Sequence, residues 1–231
     1  MNKRIITILL MLFGLTPSLL YGQIDSDQLG SWYIYFWKTQ LAEKQWGFQG
    51  DIQYRNWNIL GDLEQLLIRG GVTYTPKNTE VLLTVGYANI NTGQYGQRLT
   101  STIMENRIYQ EALLPNTIGK FHFTHRFRYE QRIMYNQEFR TRYRYNLFLN
   151  IPLKGNTIDV KSPYLALYNE LFINGQNSYG QTTNTYFDRN RFYAGIGYKA
   201  QKNLKFQLAV MKQTTNNYSK NQLQISGHHS F

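Results

Sequence analysis

From residue 46 to the C-terminus the chain repeats one pattern, an apolar or aromatic side chain at every second position with polar or charged residues between. A period of two sends alternate side chains to opposite faces of a strand, so a chain written this way folds as sheet. Phe48, Ile52 and Tyr54 alternate with Gln49, Asp51, Gln53 and Arg55. Phe121, Phe123, Phe127 and Tyr129 alternate with His122, Thr124, Arg126, Arg128, Glu130 and Arg132. Tyr143, Tyr145, Leu147 and Leu149 alternate with Arg140, Arg142, Arg144 and Asn146, and Leu204, Phe206, Leu208 and Val210 with Lys205, Gln207, Ala209 and Met211. Eleven such segments can be marked, near 29–39, 46–57, 63–75, 80–91, 102–114, 120–134, 139–151, 162–174, 189–200, 203–213 and 221–231. The first is the least regular, because both faces of Trp32–Trp37 are aromatic or apolar.

Alternation alone does not separate a water-facing sandwich from a barrel with an apolar exterior. Segment length does. Several runs reach ten residues or more, which suits a tilted membrane strand and exceeds the ~5–6 residues common in soluble sheets. Connections also alternate, short ones at 75–79, 115–119 and 200–203 interleaving with longer polar ones at 91–101, 175–188 and 214–220, as in barrels with short turns on one side and long loops on the other. Aromatic residues make up 16%, led by 19 Tyr; Tyr suits surfaces where one end of a side chain is apolar and the other wet. Cysteine is absent, so no disulfide staples the fold, and a barrel closed by backbone hydrogen bonds needs none. The negative mean hydropathy is what a barrel gives when only alternate residues face lipid. The expected fold is all-β, a closed antiparallel transmembrane β-barrel. A bacterial barrel with both chain ends on one side has an even strand number, so ten or twelve strands are expected.

The two ends of the chain agree with that address. Lys3 and Arg4 precede an apolar run over 5–15, broken by Thr16, Pro17 and Ser18, with a cleavage point near Gly22–Gln23. This reads as a signal peptide over 1–22, too short in its apolar part to span a membrane, leaving residues 23–231 as one domain. Its removal takes two positive charges from a formal +11. At the other end Leu223, Ile225, Gly227, His229 and Phe231 share one parity. A last strand ending in Phe resembles the terminal signal that the barrel-assembly machinery of the outer membrane recognises.

Several stretches carry a resemblance to a family: LGSWY (29–33), GDLEQLLIRGGV (61–72), ENRIYQE (105–111), HRFRYEQR (125–132) and NELFIN (169–174). In this order they resemble the Bacteroidetes envelope proteins grouped as domain of unknown function 2490. The resemblance implies an outer-membrane barrel and brings neither an activity nor catalytic residues.

The chemistry concentrates on the polar face of the two strands around Gln137. Arg126, Arg128, Arg132, Arg140, Arg142 and Arg144 share one wall, and like charges facing across a strand pair repel. Compensating acids stand on matching faces, Glu105 and Glu111 on one side, Glu170 on the other, with Glu130 inside the cluster; adding Arg107, seven arginines face four glutamates. Two readings follow. Arg forks clasping Glu can plug a narrow lumen, giving a structural envelope barrel. Alternatively, the cationic surplus binds or passes a small anionic solute, making the chain porin-like. Nucleic acid is excluded as a partner despite the basic balance, since these arginines point into the barrel. Lipid is the expected surrounding partner, the chain is monomeric by default, and no cofactor is implied.

A membrane-embedded lipid-modifying hydrolase is the alternative from another class. His122, His125, His228 and His229 are the only histidines, and Ser226 and Ser230 share a strand with two of them. No nucleophile motif accompanies them and no third group orients a base. A metal site is not expected, because His228 and His229 are adjacent and point to opposite faces. Gly70, Gly71, Gly86, Gly195 and Gly197 fall inside strands, where they mark bends in a wall or room for a bulky neighbour.

Overall fold

The computed structural model describes residues 27–41, 45–95, 102–179, 182–183 and 185–231; the signal peptide over 1–22 and its cleavage point lie outside them. The alternating segments form strands β1 (Gly30–Gln40), β2 (Trp46–Asn56), β3 (Leu63–Tyr74), β4 (Leu82–Gly93), β5 (Thr102–Ile118), β6 (Phe121–Met134), β7 (Arg140–Pro152) and β8 (Ser162–Asn174). Two short strands, β9 (Ser178–Tyr179) and β10 (Thr182–Thr183), pair with each other in a connection. The wall resumes with β11 (Phe187–Gln201), β12 (Leu204–Thr215) and β13 (Ser219–Ser230).

Each of the eleven long strands pairs with its neighbours along the chain, and β1 pairs with β13 to close the barrel. Eleven, rather than ten or twelve, is the strand number. The reason is the closing pair: β1 and β13 run parallel, Gly30 opposite Gln222 and Lys38 opposite Ser230, whereas every other ladder in the barrel is antiparallel. An odd number closes only in this way, and the barrel therefore begins at Gly30 at one end and finishes at Phe231 at the other. The requirement for an even number assumed both chain ends on one side, and that assumption fails here.

The connections depart from a strict short–long alternation. At the Phe231 end the turn after β5 is only Gly119–Lys120, because β5 continues through Pro115 to Ile118. The β7–β8 connection at that same end covers 153–161 and is not short. At the Gly30 end the connections run from the tight 216–218 turn to the long 175–186 segment that carries β9 and β10.

The period of two now has physical meaning. Outward positions carry apolar side chains that remain open: Ile68, Val85, Phe127, Ile196, Leu208 and Val210 are all exposed. Inward positions are buried and largely charged or polar, among them Asp51, Arg69, Glu130, Arg142, Glu170 and Gln222. The usual arrangement of a water-soluble protein is inverted. One sector of the interior is nonetheless apolar, where Trp32, Ile34, Tyr164, Ala166, Tyr193, Ala209 and Met211 pack together. Two inward glycines make room for rings. A Cβ at Gly86 would stand 2.3 Å from the Tyr109 ring and one at Gly197 2.1 Å from the Tyr164 ring, so each tyrosine lies flat across the facing strand.

Candidate functional site

The hairpin β6–β7 sets the register that builds the charged interior. Arg128 stands opposite Arg144, Arg132 opposite Arg140, and Glu130 opposite Arg142. Like-charge neighbours on one face demand a counter-ion between them, and Glu130 supplies it. Its carboxylate, in a residue 2% exposed, accepts from Arg142 Nε and Nη2 at 3.0 and 2.6 Å, from Arg144 Nη1 at 2.6 Å and from Arg107 Nη1 at 3.4 Å. Arg128 Nη1 lies 3.9 Å away.

The remaining acids tie this centre to the flanking strands. Glu170 on β8 accepts from Arg144 Nε and Nη2 at 2.9 and 2.5 Å and from Arg126 Nη2 at 2.7 Å; the last bond passes over β7. Glu111 on β5 holds Arg128 through Nε and Nη2 at 2.7 and 2.5 Å and accepts from Gln49 of β2 at 3.1 Å. Glu105 is forked by Arg107 at 2.7 and 2.9 Å and also bonded by Arg132. Glu105, Arg107, Glu111, Arg126, Arg128, Glu130, Arg132, Arg142, Arg144 and Glu170 thus meet in one network, while Arg140 lines a cavity beside Arg132. Bidentate pairing of this kind fixes both partners in plane.

Further members come from strands distant in the chain. Arg69 Nε donates to Asp51 at 2.8 Å, and Asp188 accepts from Arg142 Nη1 at 2.9 Å. Among the described residues Arg55 is bonded to Gln53 and Gln65, and it lies 3.8 Å above the Trp32 ring. Arg191 stands 4.7 Å from the same ring and 4.6 Å from Phe172, with Gln213 as its acceptor at 2.8 Å. Trp32 is thereby flanked by two guanidinium groups, Arg55 from the adjacent β2 and Arg191 from β11 beyond the seam, in a pair of cation–π contacts. A bulge in β3 lets Glu64 turn inward beside Gln65 and accept from the Trp32 indole at 3.1 Å. Arg55, Asp51 and Gln53 belong to an alternation visible in the sequence. Arg69 sits in an apolar run, and Arg191 joins the network opposite Glu170 on the neighbouring strand, 3.8 Å from its carboxylate, and reaches Trp32 only when the barrel closes.

This network divides the lumen. A cavity of about 530 Å³ lies toward the Phe231 end and one of about 240 Å³ toward the Gly30 end, and Arg55, Arg69, Arg144 and Arg191 line both. The smaller cavity is ringed by arginines, including Arg107, Arg132, Arg140 and Arg189. The larger has Trp32, Ile34, Phe36, Tyr164 and Ala166 on its wall.

Each histidine has a local partner. His125 is bonded to Tyr145 at 2.8 Å and His122 to the Asn156 carbonyl at 2.9 Å. His228 Nε2 lies 3.0 Å from Ser226 Oγ inside the barrel. Its ring stacks on Phe36, and no described carboxylate is bonded to it, so nothing orients it as a base. His229 points outward to the Tyr35 hydroxyl at 3.0 Å. Among the described residues no group of three His, Asp or Glu side chains could hold a metal ion. Phe231 is 71% exposed just past β13, its N–H donating to the Lys38 carbonyl at 2.9 Å.

Neither the curated proteins nor the solved structures include a significant match to this chain. A family model does match, over residues 29–224, which span every barrel strand except the last part of β13. The chain belongs to the family described as Protein of unknown function (DUF2490).

Proposed function

We propose that this protein spans an outer membrane as a β-barrel whose lumen is closed by its arginine–glutamate network, so that it acts as an envelope barrel holding small anionic solutes rather than as an open pore. The observation that carries the reading is the inversion of the wall, with exposed Val85, Ile196 and Leu208 outside and buried Glu130, Arg142 and Glu170 inside. In water that exterior would be a very large apolar patch; in a bilayer it is the expected lipid face. Backbone satisfaction agrees, because only helices and closed barrels can cross hydrocarbon. Strands of 11 to 17 residues are long enough for a tilted crossing. Aromatic residues gather outside at the Phe231 end, where Trp37, Trp46, Tyr74, Phe121, Tyr198 and Phe231 would form an interfacial belt. The basic leader and the final Phe support delivery to the outer membrane.

Bonds that reach over intervening strands, Gln49 to Glu111 and Arg142 to Asp188 among them, support a closed lumen. The cationic excess lining both cavities favours anions as the solutes held there. The deciding experiment is Leu208→Arg, in mid-strand of β12 and 56% exposed. On a lipid face this substitution costs about 2–4 kcal/mol; on a water-facing surface it costs about 0.5 kcal/mol or less. A small cost, or mature protein that fractionates without detergent, would overturn the membrane assignment.

A further inference from the structure

The charged network uses most of the lumen's cations, and almost every inward arginine pair has an acid between its members. One inward pair has none. Lys199 on β11 stands directly opposite Lys205 on β12, and Lys205 stands opposite His228 on β13. Phe36 and then Lys38 continue the row onto β1. Like charges directly opposed on one face are destabilising, yet no carboxylate of the described residues lies within ion-pair distance of Lys38, Lys199 or Lys205. Among the described residues the one bond made by these ammonium groups is Lys199 Nζ to the Ile158 carbonyl at 2.9 Å, which leaves most of their donors open to a ligand.

These lysines line the larger cavity at its Phe231 end. Below them one side of the wall is apolar, built from Trp32, Ile34, Phe36, Tyr164 and Ala166, with Gln207, Gln224 and Ser226 beside it. From Lys205 to Ala209 the strand rises about 13 Å, so a ligand with its head among the lysines would run its body along apolar surface. Ile158 of the β7–β8 connection packs against that same cluster, which narrows the entrance on one side. At about 530 Å³ the chamber falls in the range of small-molecule sites.

We infer that this chamber binds an anionic amphiphile, a molecule with a carboxylate or phosphate head on Lys199 and Lys205 and an apolar chain against Trp32, Phe36 and Ala166. The inference deepens the solute-holding part of the proposed function by naming the ligand class and the chamber, and it does not depend on lipid surrounding the wall. The head group is desolvated beside two cations whose mutual repulsion it relieves, and the tail replaces water on the apolar wall.

The test is calorimetric titration of the refolded full-length mature barrel in a non-ionic detergent with octanoate and octyl phosphate. Octanol, octyltrimethylammonium and acetate serve as comparators, each corrected with protein-free micelles. Octanoate or octyl phosphate should bind at least about tenfold more tightly than every comparator, and the tighter of the two names the head group. Lys199→Gln combined with Lys205→Gln should weaken binding by at least about tenfold. Ala166→Phe, which fills the chamber, should abolish it. Equal affinity for octanol, equal affinity for acetate, or binding unchanged in the lysine variant would each overturn the inference. Heat-dependent gel migration of the same samples reports the closed barrel separately. A sample that migrates as a barrel and binds neither amphiphile refutes the ligand assignment alone, and the Leu208→Arg measurement addresses the membrane assignment alone.

Discussion

Replacing Glu130 by Gln keeps the shape of the side chain and removes its charge. In the structure that charge is shared by Arg142, Arg144 and Arg107, all within 3.4 Å, and its residue is 2% exposed. The glutamine retains one acceptor oxygen and turns an amide donor toward guanidinium groups that have only donors. Arg144 keeps Glu170 and Arg142 keeps Asp188, so neither is wholly abandoned. Breaking one buried pair costs about 3–5 kcal/mol, and a unit charge at about 4 Å contributes about 4 kcal/mol at an effective dielectric of 20. The expected loss is therefore about 3–4 kcal/mol. The assay is equilibrium unfolding in urea of barrel refolded into lipid vesicles, followed by Trp fluorescence and by gel migration. Glu80→Gln, on an exposed turn, is the control and should change stability by about 0.5 kcal/mol or less. A Glu130→Gln loss below about 1 kcal/mol would refute the view that this carboxylate holds the plug together. Replacing the triad Glu130, Arg142 and Arg144 by Leu, Met and Met should lie closer to wild type than Glu130→Gln, because apolar packing often matches a buried ion network.

Other expectations follow from the same geometry. Wild-type barrel inserted in a planar bilayer should show no discrete conductance, and replacement of Glu130, Arg142 and Arg144 together by Ala should produce openings; steady wild-type channels would count against a closed lumen. Gly197→Val should destabilise by about 1–3 kcal/mol, the typical cost of overpacking, since its Cβ would fall 2.1 Å from the Tyr164 ring; Tyr164→Ala should recover part of that loss, and additive effects would show that the two do not meet. Deleting Phe231, which is 71% exposed, should leave the stability of refolded protein within about 0.5 kcal/mol while reducing assembly in cells; normal assembly would remove the recognition role assigned to it.

Strand positions were legible because a period of two survives any tertiary arrangement, and the segments marked at 46–57, 120–134 and 162–174 lie within two residues of β2, β6 and β8. The arginines of β6 and β7 were legible for the same reason, as neighbours in one hairpin with unbroken alternation. Other features depend on information that alternation does not contain. Glu64 faces inward through a bulge, and a bulge is a local failure of the period. Arg55 and Arg191 meet over Trp32 only because the sheet closes. Lys199 and Lys205 flank a turn, where lysines ordinarily read as solvated punctuation between strands. The strand number failed for another reason, since the count of alternating segments was set aside for a rule about where chain ends lie.

The parallel pairing of β1 with β13 has a consequence for biogenesis. In a barrel with an even number of strands both ends of the chain stay on the face from which it is delivered, and hairpins can be pushed across in pairs. Here Gly30 and Phe231 stand at opposite ends of the barrel. If the barrel spans a membrane as proposed, one flank of the chain must therefore be carried through the bilayer before the seam can be sealed. The seam also joins the first strand to the last, so it closes only after the entire chain is available, and a parallel ladder is slightly weaker per residue than its antiparallel neighbours. The β1–β13 junction is accordingly the most weakly paired seam of the finished wall, and one where a short linker cannot circularly permute the molecule.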